Sequence, residues 1–171
     1  MPPPTPSPRC ILGVDPGLRI TGYGVLERTG QQPIVREAGI IRTADDAATD
    51  LANRVLSVYN GIAEVIAQYR PEVVVVEQLY AHYKHPRTAI LMGHARGAIL
   101  LAAAQHKVPV VNYSATRIKK TVTGSGRAGK DQVQRTIQRE LNLARIPEPA
   151  DVSDALAVAL CHYYQQHWPV G

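Results

Sequence analysis

The run VVVVE, Val73 to Glu77, constrains the fold more than any other stretch of the chain. Successive side chains of a strand point to opposite faces, so an unbroken β-branched run is a strand covered on both sides. Covering a sheet twice takes a layer of helices above and another below, the arrangement of an α/β domain. The neighbouring segments fit that frame. CILGVDPG reads as a second buried strand closed by a Pro-Gly turn. TGYGVLER alternates, PIVREAGIIR follows, and short turns join these early strands into an antiparallel meander. Over 46–69, Leu51, Val55, Val58, Ile62, Val65 and Ile66 recur at helical spacing, and Pro71 marks the far side of that helix. A long helix rich in alanine and glycine is expected over 89–105, a fifth strand at VPVVNY, and further helices over 116–121, 130–143 and 150–166. The result is a mixed five-stranded α/β sheet with helices on both faces, in which the first and fourth strands can lie side by side at the centre.

At 171 residues and 45% apolar composition the chain suits one domain with a sizeable core, over 10–171 after a loose proline-rich tail at 1–9. No apolar run approaches the roughly 18 to 20 residues of a membrane span, and MPPPTPSPR has no signal-peptide core, so a cytoplasmic protein without a membrane partner is expected. Cys10 and Cys161 have neither CxxC pairing nor framework spacing and read as reduced thiols. Charge is segregated. Between positions 82 and 145 stand twelve Lys or Arg against Asp131 and Glu140, a surplus of ten, while the remainder carries a deficit of five, giving the overall +5. A solvated basic surface is the plain reading of that block; a polyanion partner such as nucleic acid is the functional one.

Four acids are misplaced by hydrophobicity or by charge. Asp15 sits in the apolar GVDPG and Glu77 ends VVVVE, where a buried carboxylate costs several kcal/mol unless paired or bound to a cation. Each can accept from backbone or from an arginine such as Arg19 or Arg96. In EPADVSDALAVAL, Asp151 and Asp154 are three apart and share a helix face. Asp151 also suits a cap or first-turn acid; Asp154, beside Leu156 and Val158, suits capping less. Neighbouring central strands would bring Asp15 and Glu77 together and the helix would add the other two. Such repulsion is relieved by a divalent cation, and Mg²⁺ takes oxygen ligands while keeping sites for substrate phosphates. Paired metals roughly 4 Å apart support in-line phosphodiester cleavage.

In this order, ILGVDPGLRITGYGV, VVVVEQLY, MGHARG, KKTVTGSG and ADVSDALAVA resemble the segments of the RuvC family of Holliday-junction resolvases, from about Ile11 to His162. The resemblance implies a ribonuclease H-like fold and a homodimer that binds four-way junction DNA. It implies symmetric nicking of two strands of like polarity in recombination and repair, with a branch-migration helicase complex as partner. Asp15, Glu77, Asp151 and Asp154 match the family's catalytic acids, holding one or two Mg²⁺, for which Mn²⁺ can substitute. Lys119 and Lys130 match its basic residues near the scissile phosphate. Tyr80 stands where the family commonly has a stacking phenylalanine, and this chain has no phenylalanine. Base stacking on an aromatic tolerates any sequence; a half-buried tyrosine at a strand end is the plain alternative. In the following loop, YAHYKHPR, Lys84 and Arg87 suit DNA contacts, as does Lys120 beside Lys119.

TGSGRAGKD imitates a nucleotide-binding G-x-x-x-x-G-K-[ST] loop, but Asp131 replaces the hydroxyl and the preceding RIKKTVT is too polar for the required strand. The segment reads instead as a glycine loop whose Arg127 and Lys130 reach DNA at a helix start. TAILMGHARGAILLAAA is apolar or small over most of its circumference, so burial on more than one side is expected, in the core or in a two-fold seam at Gly93 and Gly97. His94, His106, His162 and His167 lack metal-ligand spacing and read as surface or packing residues. Other readings are a ribonuclease H using the same acids, a sugar-kinase or actin-like ATPase, for which one such domain is too short, and a non-catalytic DNA-binding module.

Overall fold

A computed structural model describes residues 9–30, 32–43, 50–79 and 84–167, the side chain of His167 excepted. Its elements are β1 (Cys10–Asp15), β2 (Ile20–Thr29), β3 (Gln32–Arg42), α1 (Leu51–Tyr69), β4 (Val73–Glu77), α2 (Pro86–Gln105), β5 (Val110–Tyr113), α3 (Ala115–Thr123), α4 (Lys130–Glu140) and α5 (Ala150–His167). The strands form one sheet in the order β3-β2-β1-β4-β5. β1, β2 and β3 are the expected antiparallel meander. β1 pairs with β4 in parallel, Ile11 opposite Val73 through Val14 opposite Val76, and β4 pairs with β5 in parallel.

Alternation sorts the side chains of the central strands into two cores. Leu12, Val14, Val74 and Val76 pack with Val58 and Ile62 of α1 and with Ala98, Ile99 and Ala102 of α2. Ile11, Val73 and Val75 pack with Leu156 and Leu160 of α5, Ile118 of α3 and Ile137 of α4. Each fully buried aliphatic side chain contributes about 1.5–3 kcal/mol. The unbroken valine run therefore feeds both layers at once, as its composition requires.

Boundaries move for local reasons. Helix α1 begins at Leu51 because Asp50 caps it, its carboxylate accepting from the Asn53 amide at 2.8 Å; positions 46–49 lie outside the described residues. Helix α2 starts three residues earlier than its apolar pattern, at Pro86, where a fixed φ suits the first helical position. Helix α4 stops at Glu140 rather than 143, and Asn142 follows with φ +50°. The segment RIKKTVT is helix rather than strand, which removes the nucleotide-loop geometry. Helix α2 is buried on one side only: Ala95, Ala98, Ile99, Ala102 and Ala103 face the sheet, whereas Ile90 is 63% and Leu101 53% exposed. The proline-rich opening, apart from Arg9, lies outside the described residues. Among the described residues no helix is long and apolar enough to cross a membrane.

Candidate active site

Parity places two of the acids. Asp15 is two residues beyond Gly13 and Glu77 two beyond Val75, so both carboxylates leave the sheet on the α5 side. Register places them side by side, since Val14 and Val76 are partners and Asp15 and Glu77 are the next step along strands about 4.8 Å apart.

Missing side chains place the other two. A Cβ on Gly13 would stand 2.2 Å from the Ala155 carbonyl oxygen, and one on Gly22 2.1 Å from that of Asp151. Those glycines let α5 lie directly on the sheet. Gly22 is the cross-strand partner of Asp15, so the residue resting on it, Asp151, arrives beside the Asp15 carboxylate. Asp154 follows on the same helix face. The helix start is fixed from outside: the buried Ser153 hydroxyl donates to the Pro147 carbonyl at 3.1 Å and the Val152 amide to Pro149 at 3.0 Å. Asp151 is thus a first-turn residue and not the cap.

The electrostatics bring the other three acids to bear on Asp15. Burial, followed by the charges of Asp154, Asp151 and Glu77, pushes the Asp15 carboxyl up to about 8, with Lys130 opposing. Burial and then Asp154 raise Glu77, with Lys119 opposing. Burial also raises Asp154; Lys130 and Lys119 pull it back and Asp151 pushes it further up. None of the four forms an ion pair among the described residues. Arg96 does not neutralise them either. Its Nη1 donates to the Glu77 carbonyl oxygen at 2.7 Å and its Nη2 to Asn112 Oδ1, so it ties α2 to the ends of β4 and β5 through backbone and amide. The guanidinium inside MGHARG signalled a partner on the sheet; which oxygen it takes was not legible.

Repelling, partly buried oxygens without an ion pair among the described residues are a donor set for a hard divalent cation. The side chains stand at the range of repulsion rather than of ligation, and among the described residues no three carboxylate, imidazole or thiol groups are drawn up around one point.

The basic candidates divide. Lys119, half-buried on α3, and Lys130, the first residue of α4, are the two whose charges reach the acids. No side chain caps the start of α4 at Gly129, so its amides are presented beside Lys130. Lys84, Arg87, Lys120 and Arg127 are exposed. Tyr80 lies outside the described residues. His94 and His106 are exposed, whereas His162 is 4% exposed, its Nδ1 sharing a 2.9 Å hydrogen bond with the Tyr113 hydroxyl and its Nε2 meeting Gln166 at 2.8 Å.

Comparison with known proteins adds an independent line. The sequence profile of the family described as crossover junction endodeoxyribonuclease RuvC matches residues 11–162. The crossover junction endodeoxyribonuclease RuvC of Rhodopirellula baltica is 49% identical over 96% of this chain and 91% of its own length. That of Shewanella loihica is 47% identical over 90% and 86%. A structure of Thermus thermophilus RuvC in complex with Holliday junction substrate superposes with a TM-score of 0.86 at 31% identity, covering 92% of this chain and 94% of that one. The yeast mitochondrial Holliday junction resolvase shares the fold, with a TM-score of 0.63 at 13% identity over 97% of this chain and 83% of that one. The fold is thus the ribonuclease H-like one that the resemblance implies, and the chain belongs to the RuvC family of crossover junction endodeoxyribonucleases.

Proposed function

We propose that this protein resolves four-way (Holliday) DNA junctions, nicking two strands of like polarity symmetrically as a metal-dependent endonuclease in recombination and repair. The observation that carries the reading is the close seating of α5 on Gly13 and Gly22, which confronts Asp15 and Glu77 with Asp151 and Asp154 under two lysines. Its support from relatives is the junction-bound Thermus protein, similar over nearly the whole chain. The four acids would hold Mg²⁺, or Mn²⁺ in its place, one or two ions per site. When bound, such an ion supplies an activated water and stabilises charge on the phosphate oxygens. Lys119 and Lys130 meet the phosphate from the rim, and the free amides at the α4 start add donors for its oxygens. Buried walls of α5 and β1 exclude bulk water, which strengthens each of these contacts.

Helix α2 supports a homodimer. Ile90, Gly93, Gly97, Leu101 and Ala104 recur along one turned-out stripe, and a Cβ on Gly93 or Gly97 would meet nothing within 4 Å. A second copy of the same stripe fits it by two-fold symmetry, the symmetry of the junction itself. Tyr80 is the aromatic for stacking an opened base, Lys84, Arg87, Lys120 and Arg127 bind the DNA, and a branch-migration helicase complex is the partner of such a nuclease. Buried, unpaired Cys10 and Cys161 suit the cytoplasm.

Purified protein with Mg²⁺ is expected to cut a synthetic junction at paired positions. Asp15→Asn and Glu77→Gln should lower cutting on the order of 10³-fold or more while junction binding stays equal or tightens, since neutralising an acid removes repulsion with phosphate. A junction bound but left intact by the wild type, or preferential cleavage of an RNA–DNA hybrid, overturns the reading.

A further inference from the structure

A cleft of about 770 Å³ opens beside Asp151, and neither Lys119 nor Lys130 lines it. Three elements contribute arginines to it: Arg19 from the turn between β1 and β2, Arg54 from α1 and Arg87 from the first turn of α2. Leu91 and Met92 form an apolar wall, and Asp151 is the boundary shared with the acid cluster. Arg19 and Arg54 belong to the acidic part of the sequence, so the charge count along the chain gave no sign of them.

The chemistry of the lining selects a ligand. Guanidiniums gathered from three elements beside one carboxylate ask for an anion with several oxygens, and phosphate suits their planar fork. Arg54 sharpens this, because its Nε is shielded from solvent and has no hydrogen-bond partner among the described residues. An orphaned buried donor costs about as much as a lost hydrogen bond, and an incoming acceptor removes that cost. The apolar wall adds what an inorganic anion does not need, a surface for a base or sugar. Anion donors and an apolar wall at the edge of a phosphodiester-cutting site describe a nucleotide of the strand being cut.

We propose that this cleft is a nucleotide-binding subsite. It takes the deoxynucleotide adjoining the scissile phosphate, with a phosphate on Arg54 and Arg87 and the base or sugar against Leu91 and Met92. The cut strand is then gripped on both sides of the acids, by Lys119 and Lys130 on one and by arginines on the other. This rests on the junction-nuclease reading above.

Binding of a synthetic four-way junction, measured in chelator over a range of salt, tests it with Arg54→Met, Arg54→Lys and Arg87→Met. Arg54→Met and Arg87→Met should each weaken binding about tenfold and reduce the log–log salt slope by about one, while Arg54→Lys keeps the slope. Removing the base beside the cut should weaken wild-type binding and leave Leu91→Ala with little further to lose. Should Arg54→Met fail to fold, exposed Arg87 decides alone. Wild-type affinity and slope in both methionine variants, with a wild-type protein that binds and cuts, overturns the subsite and leaves the nuclease standing. A wild type that neither binds nor cuts overturns the nuclease and the subsite together.

Discussion

The two faces of the sheet are built from the same strands and do opposite work. Toward α1 and α2 the inward positions of the central pair beyond Cys10 are branched aliphatics, Leu12, Val14, Val74 and Val76, and the helices are held off at side-chain distance. Toward α5 the same strands present Gly13 and, on β2, Gly22 and Gly24, and the helix backbone comes down onto the sheet. The first face is a sealed core whose outer helix turns apolar residues to solvent. The second takes charge inward, because a helix lying that low carries Asp151 and Asp154 to within repelling range of Asp15 and Glu77. Close approach, more than any one acid, distinguishes the site from the core behind it.

The largest way to break this contrast is to give the glycine face a side chain. Gly22→Ala would drive a Cβ into the Asp151 carbonyl, and backbone cannot yield as a flexible side chain can. We expect a loss of about 3 kcal/mol or more and cutting reduced at least as far as by an acid substitution, read by thermal melting and junction cleavage together. On the other face Val76→Ala removes only packing and should leave the cleavage rate per folded molecule unchanged. Wild-type cutting by folded Gly22→Ala protein would show that helix seating is not what delivers Asp151.

The sequence reveals these two faces unequally. The valine run announced double coverage, and the acids announced themselves by standing in apolar company. The glycines gave weaker notice: GVDPG and TGYGV read as turn chemistry and alternation, and only cross-strand register shows Gly22 opposite Asp15. Arg96 looked like a carboxylate partner because composition cannot tell a side-chain oxygen from the backbone oxygen of the same residue. Helix α2 reads as buried on more than one side for a similar reason, since periodicity reports that a surface is apolar and not what covers it. Arg54 was hidden by averaging, a cation in a segment of net negative charge that folding carries to the same cleft as Arg19.

A second contrast lies on the outer side of the two layers, where α2 exposes Ile90 and Leu101. Leu101→Asp places a charge in the proposed two-fold seam and should weaken self-association by about 2 kcal/mol, tens-fold in dissociation constant. Sedimentation at micromolar concentration reads it directly. The monomer keeps its acid cluster, so nicks should persist while the two incisions lose their pairing. An unchanged dimer moves the seam elsewhere and leaves the exposed stripe without its partner.

The smallest effect concerns the charge that the glycine face turns inward, measured without metal. Asp15 has a folded-state pKa of about 8 against an ordinary 3.8. Between those values the native protein holds a proton that the unfolded chain has released, so the stability Asp15 contributes is fully present below about 3.8 and is lost as pH rises through about 8. Asp15→Asn cannot lose it. In chelator, the melting temperature of the variant relative to wild type should therefore climb from pH 5 to 9, by an amount on the order of 1–2 kcal/mol, several degrees for a chain of this size. The gain is partial because Glu77 and Asp154, also raised, continue to repel and Lys130 continues to compensate. Adding Mg²⁺ should invert the order at high pH, since an ion bound to the native cluster stabilises wild type and has lost a ligand in the variant. Val76→Ala, from the sealed face, should lower the melting temperature by the same amount at every pH. A flat difference for Asp15→Asn as well would mean that its carboxylate is solvated and paired in solution, and that the two faces differ in spacing alone.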